Sequence, residues 1–435
     1  MAFDVIFDEK TLVFSAPVNE ATKKWGVYCL PRLWRLPTGR LVVRINGEAD
    51  SADPNTRNTA PTIYAVSDDE GKTWTIDHCG AEKYDMNVLQ GNSPAYCRLS
   101  DGRWIGIRNK EDCKPIEGVA PVKEFMFPNE GCYWGAFTAE LIPEDCMGFD
   151  LVEFDKDGNE TDRQAARLDF PDRELLLDTK AWDGGDGFKD IPVLVKPFIW
   201  YNTYISCLTE LPEGNLCGLV TGQHPEASDR YCGAVYLVVS SDGGKNWIKR
   251  GTVAMDSEGV PYGYSGDGNE VTMALTDDGK LVVAMRMDVS VSPKGNSEFC
   301  EAYVAISEDF GYTWTKPFPV AEASVTPQLV ALDGNLLVLF YGRPGVHFKI
   351  SEDGGRTWSE DYRVIGKNYA EARALGIPDS QSKYGDMESY SNVFVEKLSD
   401  DSVLVCFNDM KYDQGDGVLH RAAFVQKITV KKEKF

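Results

Sequence analysis

The frame S-x-D-x-G-x-T-W recurs along this chain and limits what it can fold into. Complete copies begin at Ser67, Ser307 and Ser351, and a fourth, beginning at Ser240, has Asn246 in place of Thr. Each copy directly follows an apolar, alternating run such as "PTIYAVS" or "VHFKIS". Asp bonds to nearby backbone amides, Gly adopts a positive φ and Trp packs under a turn, so the frame predicts a strand, a turn and a second strand. We call these four segments the boxes. A metal loop is the alternative interpretation, but each box has too few acidic ligands for calcium.

Six further segments share a turn containing Gly or Asp that leads into an apolar strand. They read "PTGRLVVRI", "SDGRWIGIR", "PEGNLCGLV", "DDGKLVVAM", "LDGNLLVLF" and "SDDSVLVCF". Repeated short strands joined by turns are typical of propeller blades. The sequence therefore predicts an all-β fold, a six-bladed β-propeller of four-stranded antiparallel blades, in one domain over residues 1–435.

The expected blades cover roughly residues 25–75, 90–155, 195–250, 265–316, 324–360 and 385–430. We expect the opening stretch "FDVIFDEKTLVFSAP" to add the strand that closes the ring. Residues 111–131 and 156–194 are rich in Pro, Asp and Gly. We expect them to be irregular loops inserted over one face, where propeller binding sites usually lie.

Charge and cysteine content exclude several classes of partner. The formal net charge of −23 makes nucleic acid and anionic membranes improbable partners, because both are negative. The 11 cysteines are scattered without zinc spacing, so we predict neither a metal nor an organic cofactor. The sequence has no apolar leader core and no run of 18 apolar residues, which predicts a cytoplasmic location and no membrane span.

Boxes of this kind on a six-bladed propeller resemble those of the sialidase (neuraminidase) superfamily, where they are called Asp-boxes or BNR repeats. The resemblance covers nearly the whole chain, and three stretches between the boxes strengthen it. "NEVTMALTDDGKLVVAMRMD" contains Glu270 and Arg286, "FYGRPGVHFKIS" contains Arg343, and "ESYSNVFVEKLSDDSVLVCF" contains Tyr390. Their order and spacing are similar to those of the family's Glu, two Arg and Tyr.

The resemblance implies a role for each of these residues. Tyr390 is expected to attack the sugar and Glu270 to act as its base, because a carboxylate nucleophile is repelled by a sugar that itself carries a carboxylate. Arg286 and Arg343 are expected to bind that substrate carboxylate. The structural alternatives are a surface carboxylate for Glu270, salt bridges between blades for the arginines and a core phenol for Tyr390.

Two further positions complete the site that the resemblance implies. The family's general acid lies in a loop that corresponds here to "NGEADSADPNTRNT", which makes Asp53 the first candidate and Asp50 the second. The family's first arginine corresponds to Cys29, so this chain lacks it at that position. Arg32 and Arg35 are the candidates to replace it in substrate binding, although strand alternation sends neighbouring side chains to opposite faces.

These observations predict an exo-acting retaining glycoside hydrolase that cleaves a terminal sialic acid or a related acidic sugar from an oligosaccharide or glycoconjugate. Two alternatives stay open. The first is a propeller that binds glycans without catalysis, which the loss of an arginine at Cys29 favours. The second is a hydrolase or lyase for a neutral or uronic-acid sugar.

Overall fold

The computed structural model describes most of the chain. The described residues are 3–24, 26–29, 31–49, 60–77, 96–108, 114–115, 118–127, 132–138, 149–156, 159–169, 174–182, 188–190, 192, 194–195, 206–223, 233–255, 270–286, 301–322, 324–342, 344–374 and 393–432. The chain divides into two compact units. Unit 1 is Met1–Asp85, Glu270–Glu308 and Pro317–Phe435, and unit 2 is Met86–Asn269 and Asp309–Lys316.

The regular secondary structure of the described residues is almost entirely β-strand. The strands are β1 (Phe3–Phe7), β2 (Thr11–Pro17), β3 (Pro31–Arg35), β4 (Leu41–Ile45), β5 (Ile63–Ser67), β6 (Thr75–Asp77), β7 (Tyr96–Arg98), β8 (Trp104–Arg108), β9 (Lys114–Pro115), β10 (Lys123–Phe127), β11 (Cys132–Thr138), β12 (Phe149–Phe154), β13 (Glu160–Asp169), β14 (Glu174–Trp182), β15 (Phe188–Asp190), β16 (Leu194–Val195), β17 (Ser206–Glu210), β18 (Leu216–Gln223), β19 (Gly233–Ser240), β20 (Asn246–Met255), β21 (Val271–Leu275), β22 (Leu281–Arg286), β23 (Ala302–Ser307), β24 (Phe318–Ala321), β25 (Val325–Leu332), β26 (Leu336–Gly342), β27 (Val346–Ser351), β28 (Tyr362–Ile365), β29 (Phe394–Ser399), β30 (Ser402–Asp413) and β31 (Leu419–Lys432). A short helix, α1 (Tyr369–Ala374), and a 3-10 turn at Asp333–Asn335 are also present. The prediction of an all-β fold is confirmed.

Unit 1 contains antiparallel sheets in which the strands follow chain order. Three have four strands, in the orders β3-β4-β5-β6, β21-β22-β23-β24 and β25-β26-β27-β28. In the fourth, β29, β30 and β31 lie side by side, and β1 and β2 both pair with β31. The opening stretch thus adds strands to the sheet formed by the end of the chain, and the closure of a ring stays a prediction.

The second strands of these sheets are buried on both faces. Every residue of β26 is buried, as are Leu281–Met285 of β22 and the first seven residues of β30. A strand that is covered on both faces needs apolar side chains at every position rather than at alternate ones. This explains the continuous apolar runs "LVVAM", "LLVLFYG" and "VLVCF" that follow the predicted turns.

The Gly turns form hairpins with one shared pattern of hydrogen bonds. In the β3–β4 hairpin, Leu36 N donates to Arg40 O (2.8 Å) and Gly39 N donates to Leu36 O (2.9 Å). Gly39 has a φ of +85°, a conformation that glycine adopts without strain. The same two bonds occur in the hairpins at Gly102, Gly214 and Gly279.

The boxes join the third and fourth strands of their sheets and are held by their own side chains. In the first box, Ser67 Oγ accepts from Gly71 N (2.9 Å), and Asp69 accepts from Thr73 N (2.9 Å) and Thr73 Oγ1 (2.6 Å). Trp74 Nε1 donates to Gly71 O (2.9 Å), and Gly71 has a φ of +87°. The structural interpretation of the boxes is thus confirmed. Within the described part of the chain, no cluster of three or more His, Cys, Asp or Glu has the arrangement of a metal site.

Unit 2 is built around an eight-stranded sheet in the order β17-β18-β19-β20-β13-β12-β8-β7. Its β13 and β20 pair in parallel, whereas its other pairs are antiparallel. Smaller sheets, β10-β11-β14-β15 and β16-β9, complete the unit.

The expectation that residues 111–131 and 156–194 are irregular is wrong in part, because β9, β10 and β13 to β16 lie within these ranges. The case of β13 shows the reason. Only Ala166 and Leu168 among its described side chains are buried, so most of the strand is polar and its sequence looks like that of a loop.

The structure leaves two of the predictions open. The number of blades in a closed ring stays a prediction, and so does the single domain. Among the described residues, no helix has the length and apolar character needed to cross a membrane.

Candidate functional site

The two ends of each sheet in unit 1 differ in which strand termini they contain. The first strand begins where the second ends, as the pairs Pro31–Ile45, Val271–Met285 and Val325–Gly342 show. We call this the opening end of a sheet. The Gly turn and the box lie at the opposite end, which we call the turn end. A side chain near the start of a first strand therefore lies close to one at the finish of the second.

Glu270 and Arg286 meet at the opening end of the β21–β24 sheet. Glu270 directly precedes β21, Arg286 ends β22, and Arg286 N donates to Glu270 O (3.0 Å). The side chains form an ion pair in which Arg286 Nη1 lies 2.9 Å from Glu270 Oε2. The two side chains are 10% and 11% exposed, so solvent screens the pair weakly.

The two oxygens of the Glu270 carboxylate have different surroundings. Oε2 accepts both from Arg286 Nη1 and from the backbone N of Thr326 (2.8 Å). Among the residues that the structure describes, Oε1 has no hydrogen-bond partner. The contacts of Oε2 therefore fix the carboxylate in place.

Thr326 lies in a strained part of β25. The residue is fully buried, its φ is +48°, and the pairing of β25 with β26 is interrupted by a bulge between Val325 and Gln328. A positive φ at a β-branched residue costs roughly 1–3 kcal/mol, which makes it a marker for a functional position. The Thr326 hydroxyl accepts from Val393 N (3.1 Å), directly before β29. Thr326 thus links the opening ends of three sheets.

The sequence prediction missed Thr326. A signal was present in Pro327, which stands inside the apolar run "VTPQLVAL". Proline has no N–H for the sheet, so inside a strand it marks an edge or a bulge. The pattern indicates the bulge but not which groups the bulge brings together.

Arg32 lies at the same end of its own sheet. Its guanidinium carbon is 6.0 Å from the ring centroid of Phe394, the first residue of β29. Phe394 directly follows Val393, whose N–H is bonded to Thr326. The opening ends of β21, β25, β29 and β3 are thus connected in series. We call Glu270, Arg286, Thr326, Val393 and Arg32 the strand-end cluster.

Arg35 lies at the turn end of the same sheet. It is paired with Leu41 next to the Gly turn, its Nε is 3.5 Å from Glu396 Oε1, and its Nη2 donates to Lys397 O (3.1 Å). Burial raises the pKa of Glu396 to about 7, and the charge of Arg35 opposes this shift. This position favours a structural role for Arg35 over the substrate-binding role that the sequence predicted.

Cys29 does not leave an open space where an arginine is missing. The residue is fully buried, and its Sγ lies 3.0 Å from Nη1 of Arg421. Arg421 also donates to Lys23 O (2.7 Å) and Lys24 O (2.7 Å), and its side chain is almost fully buried. The guanidinium of Arg421 therefore stabilises the segment before β3, and burial lowers its pKa.

The remaining predicted site residues, Tyr390, Arg343, Asp53 and Asp50, lie outside the described residues. Their places along the chain are informative nonetheless. Arg343 directly follows β26, and Tyr390 precedes Val393 by three residues. The two aspartates follow the end of β4. All four residues therefore lie, in sequence, near the end of a strand that is located at the opening end of its sheet.

Unit 2 contains a cavity of about 520 Å³ that is lined by Cys97, Arg98, Ser100 and Glu210, among others. Its polar groups bond to each other, since Ser100 N (2.5 Å) and Ser100 Oγ (3.1 Å) both donate to Glu210. The cavity lies beside the Gly102 turn, and burial raises the pKa of the Cys97 thiol to about 12. A protonated thiol and a bonded carboxylate favour no catalytic role here.

Comparison with known proteins finds similar structures but no similar sequences. No protein-family model matches the chain, and no curated protein sequence matches it. The structure is similar to that of a protein of unknown function from Dyadobacter fermentans, with 14% identity and a TM-score of 0.54 over 98% of this chain and 99% of that one. The NanB sialidase of Streptococcus pneumoniae (14% identity, 98% of this chain, 71% of that one) has a TM-score of 0.43. An alpha-L-arabinanase of Penicillium chrysogenum complexed with arabinobiose (14% identity, 97% and 98%) has a TM-score of 0.42. At 14% identity, the similarity to the Dyadobacter fermentans protein shows a shared fold and nothing about activity. Any proposal about the chemistry of this chain therefore rests on its own residues at the opening ends of the sheets.

Proposed function

We propose that this protein is an exo-acting retaining glycoside hydrolase of the sialidase type, built on a six-bladed β-propeller, which cleaves a terminal sialic acid or a related acidic sugar. One observation carries the proposal. The Glu270 carboxylate is fixed through Oε2 and is tied through Thr326 to Val393, which follows Tyr390 along the chain.

The distances support Tyr390 and Glu270 as partners. Thr326 N is 2.8 Å from Glu270 Oε2, and Thr326 Oγ1 is 3.1 Å from Val393 N. Tyr390 precedes Val393 by three residues, and three residues of extended chain span at most about 10 Å. This short distance along the chain is what supports the pairing of Tyr390 with Glu270 in the proposal.

In the proposed reaction a neutral tyrosine is the nucleophile, and two carboxyl groups act as its base and as the general acid. The Tyr390 oxygen forms a bond to the anomeric carbon while the bond to the leaving oxygen breaks, and Glu270 Oε1 takes the phenolic proton. Asp53, with Asp50 as the second candidate, gives a proton to the leaving oxygen. The same aspartate then takes a proton from water, which attacks the anomeric carbon as its bond to Tyr390 breaks, and Tyr390 recovers its proton from Glu270.

The arginines supply the selectivity for an acidic sugar. Arg286 ends β22 and Arg343 directly follows β26, so both adjoin the opening end of a sheet. Arg32, whose guanidinium lies beside Phe394, replaces the arginine that is absent at Cys29. Guanidinium groups bind carboxylates through two parallel charge-assisted hydrogen bonds.

A panel of chromogenic glycosides tests the proposal. We expect turnover of an α-sialoside, and a loss of at least about 100-fold in kcat for Tyr390→Phe and Glu270→Gln. Tyr312→Phe is the matched control, because this exposed phenol belongs to the box that follows β23, at the turn end of the sheet. Turnover of an arabinofuranoside or a glucuronide that does not depend on Tyr390 would contradict the proposed nucleophile.

A glycan-binding protein without catalysis is the second candidate. The observation that favours it is the burial of Cys29 against Arg421, which leaves no guanidinium free to bind a ligand at that position. Binding of a sialylated oligosaccharide by calorimetry, together with no turnover across the panel, would favour this candidate over the first.

A further inference from the structure

Two buried threonine hydroxyls connect the first strands of neighbouring sheets in unit 1. Thr272 Oγ1 on β21 accepts from Leu329 N on β25 (3.2 Å), and Thr326 Oγ1 on β25 accepts from Val393 N (3.1 Å). The chemistry of the two bonds is the same, since each joins a buried hydroxyl to a buried backbone N–H. Only Thr326 also donates its backbone N–H to Glu270 Oε2.

We propose that Thr326 is a positioning residue that holds Glu270 and the start of β29 at a set separation. The proposal rests on the proposed function, because it assigns the residue that sets the distance between the base and the nucleophile. Two groups of Thr326 make these contacts. Its backbone N–H donates to the Glu270 carboxylate, and its hydroxyl accepts from the N–H of Val393.

The backbone geometry supports a functional reason for this arrangement. With a φ of +48° and the bulge between Val325 and Gln328, the N–H of Thr326 leaves the pairing with β26 and is directed at Glu270. Without this donor, Oε2 of Glu270 would accept from Arg286 Nη1 alone among the described residues. Strain of this kind persists where the surroundings require it, and such positions cluster at functional sites.

The hydroxyl is as necessary as the N–H. Val393 is fully buried, so its N–H finds no water if the hydroxyl of Thr326 is removed. A buried N–H without an acceptor is unfavourable, and the chain relaxes until the group finds one. In Thr326→Val we expect that relaxation to move the start of β29, the strand that follows Tyr390 along the chain.

The test compares three variants. Thr326→Val removes the hydroxyl and keeps the shape, Thr326→Ser keeps the hydroxyl, and Thr272→Val removes the equivalent hydroxyl that has no bond to Glu270. We expect Thr326→Val to lower kcat on an α-sialoside by about 10- to 100-fold with little change in KM, because a displacement of about 1 Å of a reacting group has an effect of this size. We expect Thr326→Ser and Thr272→Val to stay within about threefold of the wild type.

Amide hydrogen exchange provides a readout that needs no substrate. In Thr326→Val, exchange at Val393 and in β29 is expected to rise by at least about tenfold, whereas Thr272→Val leaves it unchanged. An unchanged exchange rate and an unchanged kcat in Thr326→Val would overturn the proposal. Equal losses of kcat in Thr326→Val and Thr272→Val would overturn it too, because they would show a general effect of packing. If the wild type hydrolyses no glycoside, the proposed function fails, and the exchange rates alone decide whether Thr326 holds β29.

Discussion

The ion pair between Glu270 and Arg286 allows a prediction that does not depend on knowing the substrate. The two charged atoms are 2.9 Å apart, and the side chains are about nine-tenths buried. Removal of one partner from such a pair leaves an uncompensated charge in a place of low dielectric constant, which destabilises by about 3–5 kcal/mol. Removal of both charges avoids that penalty.

We therefore expect a strong non-additivity in a double-mutant cycle. Arg286→Met should lower the free energy of unfolding by about 3 kcal/mol, because Glu270 then keeps only the N–H of Thr326 as a donor. Glu270→Gln should cost slightly less, since the amide oxygen still accepts from Thr326. The double variant should lose about 2 kcal/mol less than the sum of the single variants.

Urea unfolding, followed by tryptophan fluorescence, measures the four free energies of the cycle. Equal m values in all four proteins are the control, because they show that the surface exposed on unfolding is the same. The coupling energy should persist at about 1 M salt, where exposed pairs are screened within about 3 Å. Additivity within about 0.5 kcal/mol would refute the conclusion that the pair is buried and mutually dependent.

Three further predictions concern the turns, the titration of a buried carboxyl group and the thiols. Gly244 and Gly243 both have a positive φ, but a Cβ at Gly244 would lie 2.5 Å from a buried leucine methyl group, whereas a Cβ at Gly243 meets nothing within 4 Å. In urea unfolding we expect Gly243→Ala to cost about 1 kcal/mol and Gly244→Ala about 1–3 kcal/mol more, and equal costs would contradict the packing argument. Because the folded-state pKa of Glu396 is raised from 4.5 to about 7, the folded state binds the proton more tightly, and stability falls as the pH rises through that range. The difference in unfolding free energy between Glu396→Gln and the wild type should therefore grow by about 3 kcal/mol from about pH 4.5 to about pH 7, and a constant difference would refute it. Burial also raises the pKa of the Cys406 thiol, so this group should react with a disulfide reagent only after unfolding, and rapid reaction in the native protein would show that it is accessible.

The hairpins and boxes are the part of the fold that the sequence predicts well. The bonds of a box run from Ser67 to Trp74, and those of a Gly turn run from Leu36 to Arg40. Both sets close within a few residues, so the identity of those residues is sufficient to specify them. The all-β class follows from the same local patterns, whereas the pairing of β1 and β2 with β31 joins the two ends of the chain, as Phe3 opposite Lys432 shows.

The two arginines of β3 show where this reasoning stops. Arg32 and Arg35 are equally plausible in the sequence, yet one lies beside Phe394 and the other is paired with Glu396 near the Gly turn. In a strand, three residues separate the two arginines by about 10 Å and place them on opposite faces. The sequence pattern does not say which end of the sheet carries the site.

The sequence by itself determined the repeating strands, their turns, and the meeting of Glu270 and Arg286 across one hairpin, because those contacts form between residues close along the chain. Only the tertiary structure decided that Glu270 bonds to Thr326, 56 residues away, and that Thr326 bonds to Val393, 67 residues further on. Contacts between sheets depend on how separate segments pack and on the bulge beside Pro327, which no short pattern specifies. The physical reason is that hydrogen bonding within a hairpin is local, whereas the strain and burial that shape the strand-end cluster arise from packing between sheets.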